Sequence, residues 1–96
     1  MYKGTTPTFT FTFTNFDPTT ADKIIVSFGN GLDITDENLN VTSNSIACWL
    51  SQEQSLRMPT GNVKVQINFL FSDGQRTASV PKVIEWNPNL YNEVME

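Results

Sequence analysis

Histidine is absent from this 96-residue chain, and cysteine occurs once, as Cys48. Without an imidazole the usual general base is missing, and with it the triad that activates a serine or cysteine nucleophile. A lone cysteine forms no internal disulfide, and together with the lack of His it removes nearly every soft metal site. Placed inside an alternating strand, Cys48 reads as a small buried hydrophobe. Positive charge is also scarce: six Lys and Arg stand against ten Asp and Glu, for a net charge of -4. The six, Lys3, Lys23, Arg57, Lys64, Arg76 and Lys82, form no cluster in sequence, and binding a phosphate backbone needs concentrated positive charge, so no nucleic-acid partner is expected. No apolar run approaches the roughly 20 residues of a membrane span, and residues 1–7 lack the apolar centre of a secretion signal. Synthesis in the cytoplasm, without a membrane partner, is the expectation.

What the chain has is alternation. Val63, Val65, Ile67, Phe69 and Phe71 recur at a period of two, as do Phe9, Phe11 and Phe13 between threonines, and Ile24, Val26 and Phe28. Side chains on a strand point alternately to its two faces, so each segment reads as a half-buried β-strand. Strands are expected at about 8–14, 23–28, 32–35, 39–42, 45–50, 63–71 and 76–86. Asn30-Gly31 and Asp73-Gly74 mark hairpins, the first read as a two-residue turn. Ser51 followed by Gln54 matches a capping box, predicting a short helix over 52–57 that Pro59 ends and that folds Leu56 onto the core. Pro81 interrupts the last strand and is tolerated only at an edge or a bulge.

About seven short strands, one helical crossover and no βαβ signature predict an all-β fold, an immunoglobulin-like antiparallel sandwich, with a small barrel as the alternative. The β-domain is expected over 1–86. Residues 87–96 form a C-terminal tail with no clear period, expected to fray. The predicted inner face is Phe9, Phe11, Phe13, Ile24, Val26, Phe28, Ile46, Cys48, Leu50, Leu56, Val63, Val65, Ile67, Phe69, Phe71, Val80 and Ile84.

Chemistry is thinner than fold. Asp33 with Asp36, or Glu37 with Glu53, are the available carboxylate pairs, but acidic residues in turns are ordinarily solvated. Asp33, Asp36, Glu37 and Asn38 do not match the spacing of a twelve-residue calcium loop. The expectation is therefore a protein that is not an enzyme and holds no metal or cofactor. Contact surfaces are the stronger possibility. If Ile46, Cys48 and Leu50 point inward, Trp49 points outward, and Ile25 and Leu70 break the polar register of their strands in the same sense. Trp49, Ile25 and Leu70 are thus candidates for one apolar patch that meets another protein or a second copy of the chain. Trp86 with Tyr91 is a second candidate, with a lid over the end of the sandwich as the competing role. The row Thr8, Thr10, Thr12 and Thr14 fits either a sheet edge used for strand addition or plain β-propensity on a solvated face. Aromatic side chains that stack on sugar rings keep a carbohydrate-binding role open.

The opening Met1-Tyr2-Lys3-Gly4-Thr5-Thr6-Pro7-Thr8-Phe9-Thr10-Phe11, the phrase Ile24-Ile25-Val26-Ser27-Phe28, the segment Leu50-Ser51-Gln52-Glu53-Gln54-Ser55-Leu56-Arg57 and the run Gly61-Asn62-Val63-Lys64-Val65-Gln66-Ile67 resemble a group of short uncharacterised phage and prophage proteins of Gram-positive bacteria, encoded near tail genes. The resemblance covers nearly the whole chain in the order of its phrases, and the phrases are structural rather than chemical. It implies a structural or assembly module of a phage or prophage, tail-associated and incorporated into the virion or used while the tail is built. The partner would be another phage structural protein or further copies of the chain. An adhesion module for a host surface or carbohydrate is the alternative. Pro81 and the Asn-rich C-terminal stretch depart from the group's more regular last strand.

Overall fold

The computed structural model describes residues 1–91 and 93–95. Its strands are β1 Thr8–Thr12, β2 Lys23–Phe28, β3 Asp33–Ile34, β4 Leu39–Val41, β5 Ser45–Trp49, β6 Gly61–Leu70, β7 Arg76–Ala78 and β8 Lys82–Trp86, with one helix, α1 Gln52–Leu56, between β5 and β6. Most lie where the alternation places them, because each has one apolar face to bury. The assembly of those strands differs from expectation. They form a three-stranded sheet in the order β1-β5-β4 and a five-stranded sheet in which β3-β2-β6 is flanked by both β7 and β8. Both sheets are open. The chain is a small mixed α/β domain, and neither the closed immunoglobulin-like sandwich nor the barrel is formed. Two causes are visible. Pairing runs out at edge strands as short as the two residues of β3 and the three of β4, and Pro81 divides the last strand into two.

That division has a definite geometry. Leu70 faces Arg76 and Asn68 faces Ala78, a register that would set Val65 opposite Pro81; Val65 instead faces Lys82. The ladder has advanced by one residue. At the slip the Ser79 amide donates to the Ile67 carbonyl at 2.8 Å, and the Ser79 hydroxyl accepts the Ile67 amide at 3.0 Å. The side chain thus takes a backbone donor that the broken ladder would leave unpaired.

Both strong hairpins close the same way. Gly31 donates to the Phe28 carbonyl and Phe28 to that of Leu32; Gly74 donates to Phe71 and Phe71 to Gln75. Gly31 and Gly74 have φ of +92° and +85°, whereas Asn30 and Asp73 keep negative φ. These are three-residue loops ending on a left-handed glycine, which corrects the expected two-residue turn at Asn30-Gly31. The capping box of α1 is present: the Gln54 amide donates to the Ser51 hydroxyl at 3.2 Å and the Ser51 amide to Gln54 Oε1 at 2.9 Å.

The sheets face each other across one core of Phe11, Ile24, Val26, Phe28, Ile34, Ile46, Cys48, Leu50, Met58, Val63, Val65, Ile67, Phe69 and Trp86. Aromatic rings join them at two places. Phe9 of β1 packs on Phe28 and edge-on against Trp86, each centroid 6.1 Å away. Phe13 and Phe16 meet Phe69 at 5.8 and 5.1 Å. Phe16 returns to that cluster because Asn15, at φ +59°, reverses the chain just after Phe13. Three expectations about the core are corrected. Val80 is 83% exposed, since the slip after Ser79 turns it to solvent, and Leu56 is only half-buried against Gly4. The plug beneath α1 is Met58, which follows the helix, while Ile34 and Trp86 also join the interior.

The Trp86 indole Nε1–H is buried and has no acceptor among the described residues. Burying an unpaired donor costs about 1–3 kcal/mol, so Trp86→Phe is expected to unfold in urea within about 1.5 kcal/mol of the parent, against about 3–5 kcal/mol lost in Trp86→Ala. Equal losses in the two variants would contradict an unpaired indole. Ser79→Ala strands the Ile67 amide and is expected to cost about 1–2 kcal/mol in the same measurement.

Candidate protein contact surface

The outer face of the five-stranded sheet gathers two of the residues singled out by sequence. Ile25 faces Asn68 across the β2–β6 ladder and Lys23 faces Leu70, so Ile25 and Leu70 are diagonal neighbours on one face. Arg76 of β7 lies opposite Leu70 on its other side. Lys23, Leu70 and Arg76 therefore form a row across three strands, with the apolar side chain between two cations. The next row is Ile25, Asn68 and Ala78. Lys23, Ile25, Ser27, Asp33, Asn68, Phe69, Leu70 and Arg76 line a shallow depression of about 390 Å³ here.

Its polar groups are held in place. The Arg76 guanidinium donates twice to Asn68 Oδ1, at 3.1 and 3.0 Å. That leaves its charge without a carboxylate, since Arg57–Glu53 is the one ion pair among the described residues. Asp33, the acidic group of the depression, accepts the Ser27 hydroxyl at 2.6 Å at the far end from Leu70. The charged side chains that line the depression on either side of Leu70 are thus both cations, on a molecule whose net charge is -4. Sequence order hid this grouping because Lys23 and Arg76 are distant along the chain and become neighbours only through β6.

Trp49 does not join that patch. It sits on β5, paired to Thr8, on the outer face of the other sheet. By register its face carries Thr8, Thr10, Thr12, Asn40, Ser45 and Ala47, and no charge. The expected three-residue patch is therefore divided between two surfaces: Ile25 with Leu70, and Trp49 apart. Trp86 is fully buried, which removes it from any surface and leaves its pairing with Tyr91 unrealised. Tyr91 is exposed at the rim of a depression of about 410 Å³ shared with Gly4, Gln52, Asn89 and Met95. Past β8 the chain is pinned at separate points: Asn89 Nδ2 donates to the Lys3 carbonyl, and the Gln52 amide both donates to and accepts from the backbone of Met95.

Reactive groups are not assembled at these surfaces. Among the described residues no group of three or more His, Cys, Asp or Glu is placed to hold a metal ion. Cys48 lies wholly inside the core, and burial pushes its thiol up from 9.0 to about 12, because the thiolate would lose its water without gaining a partner. Comparison with known proteins brings no relative to this surface: no family model matches the chain, and neither a curated protein nor a solved structure matches it.

The thiol carries a testable consequence. The unfolded chain loses the Cys48 proton near pH 9 while the native state retains it to about pH 12, so stability falls as pH rises through that window. Cys48→Ala is expected to flatten that part of the pH–stability curve. In native protein at pH 8 Cys48 should react with a thiol reagent at least about a hundredfold more slowly than in urea, and comparable rates would show the core open at this position.

Proposed function

We propose that this chain is a non-enzymatic structural or assembly module that works through protein–protein contacts on the outer face of its five-stranded sheet. The observation that carries the reading is the apolar pair Ile25 and Leu70, set between Lys23 and Arg76 on a rigid ladder. Apolar groups on a fixed surface supply contact area that needs no reordering, and unpaired cations beside them select a partner with acidic groups. The complementary partner segment presents an aliphatic or aromatic side chain to the depression, with carboxylates on either side. Such a contact weakens as salt rises, since the charged rim is solvent-exposed.

The likeness of the chain's phrases to short phage and prophage proteins encoded near tail genes supports a virion or tail-assembly component as that partner. Synthesis in the bacterial host followed by incorporation into the particle, or by action during tail construction, fits the same reading.

The test is affinity capture from an induced lysogen with four baits: the parent, Leu70→Glu, Arg76→Glu and Trp49→Ala. The parent and Trp49→Ala are expected to retain the same particle protein, and Leu70→Glu and Arg76→Glu to retain it at least about tenfold less, the effect of placing a like charge in the contact. Recovery unaffected by the two outer-face variants, or lost only with Trp49→Ala, would reject this surface.

A further inference from the structure

β1 is a sheet edge, and its phase is fixed. The Phe13 amide donates to the Asn44 carbonyl at 2.8 Å and the Leu50 amide to the Pro7 carbonyl at 3.2 Å. In an antiparallel ladder a residue exchanges both of its backbone bonds on one side, and such residues alternate with those that do not. Pro7, Phe9, Phe11 and Phe13 therefore turn their backbone groups toward β5. Thr8, Thr10 and Thr12 turn theirs to the open side, where no described residue bonds them.

The other edges are blunted. β3 has two residues, and β4 and β7 have three each. β8 follows Pro81 at one end, and at the other it is covered by residues 1–3, through a parallel bridge between Tyr2 and Asn87 and the bond from the Lys3 amide to the Asn87 carbonyl. β1 carries none of the devices that keep an edge from pairing: residues 8–14 contain no Lys, Glu or Pro and no bulge. Its outer face is uncharged, and the cation beside it, Lys82, lies on the inner side with Nζ 6.0 Å from the centre of the Phe11 ring.

We infer that β1 pairs antiparallel with β1 of a second copy of this chain across a twofold axis at Thr10, joining two three-stranded sheets into one of six strands. The strand is self-complementary about this axis. Centred on Thr10, the outward-bonding residues meet only one another: Thr10 with Thr10 of the second copy, and Thr8 with its Thr12. Every unpaired backbone group of the strand then finds its partner, in about six hydrogen bonds. Threonine meets threonine on the outer face, a favourable cross-strand pair. On the inner side Phe9 comes opposite Phe11 of the second copy, covering the half-buried Phe9. The gap between β1 and the β7–β8 junction, about 130 Å³ and lined among others by Phe11, Phe13, Ile67, Val80 and Lys82, lies along the same edge, and the register sets residues 7–9 of the second copy alongside it. A five-residue strand spans about 17 Å, so the contact is small and association is weak, with Kd on the order of 10–100 µM. Each copy carries -4, so screening the mutual repulsion makes the dimer tighter as salt rises. This sign is opposite to the one expected at the outer face around Leu70, so failure of either contact is distinguishable from failure of the other.

Sedimentation equilibrium on the parent chain from about 5 µM to 1 mM, at low and high salt, is expected to show a monomer–dimer equilibrium that strengthens with salt. Thr10→Pro removes one outward amide and leaves every bond to β5 in place. Thr10→Lys sets two like charges against each other on the outer face. Each is expected to weaken dimerisation at least about tenfold while the thermal unfolding midpoint of the monomer changes little. In concentrated parent protein the Thr8, Thr10 and Thr12 amides should gain protection from hydrogen exchange. A parent chain monomeric throughout, including one whose edge takes a strand only from a different protein, overturns the inference. So does a dimer unchanged in Thr10→Lys.

Discussion

The strand β6, Gly61–Leu70, is the constraint on which the rest of the molecule depends. It pairs along one side with β2 and along the other with both β7 and β8, so every strand of the larger sheet except β3 is registered directly against it. Its buried residues Val63, Val65, Ile67 and Phe69 form the floor of the core. Because side chains alternate with period two, placing those four inward places Gln66, Asn68 and Leu70 outward. The outer face is thus the reverse side of the core: the same register that buries Phe69 presents Leu70 between Lys23 and Arg76.

Aromatic rings then hold the smaller sheet to the larger. Phe9 and Phe13 project from β1 and reach Phe28, Trp86 and Phe69 on the opposite sheet. Those contacts fix β1 as a firm edge, with its threonines outward. A strand anchored through one side chain face and one backbone side has only its remaining backbone groups to offer. The open edge of β1 and the outer face of β6 lie on different sheets: the first presents a row of threonines, the second Leu70 between Lys23 and Arg76.

Legibility in the sequence was uneven for physical reasons. Strands such as Lys23–Phe28 and Ser45–Trp49 were readable because alternation and turn chemistry are local. The capping box at Ser51 was readable for the same reason: it spans one helical turn. The hairpin at Gly29–Gly31 was located but misjudged in type, because Asn-Gly suits a two-residue turn in isolation, while the strand register selected three residues with only Gly31 left-handed. Counting by twos from Ala78 along an unbroken strand points Val80 into the core, and the slip at Ser79 changes that count. Trp86 reads locally as a surface residue near a terminus, yet β8 pairs with the first residue of β6 and carries the indole under Phe9. The closed immunoglobulin-like sandwich failed for a related reason: the number of strands is a local property, whereas closure depends on how far each edge finds a partner.

Most strand segments before Ser79, the apolar side of each, the turns, and a Cys48 with neither a second cysteine nor an imidazole in the chain are legible without any structure. These follow from periodicity and composition, which require no knowledge of distant residues. Strand pairing in three dimensions sets the two sheets open, puts Leu70 and Ile25 on a surface from which Trp49 is excluded, and leaves the Thr8–Thr12 edge unpaired among the described residues. Each of those depends on the pairing partner and register of a strand. Pairing is a contest between segments far apart in the chain, settled by which arrangement buries the most apolar surface while bonding the most backbone.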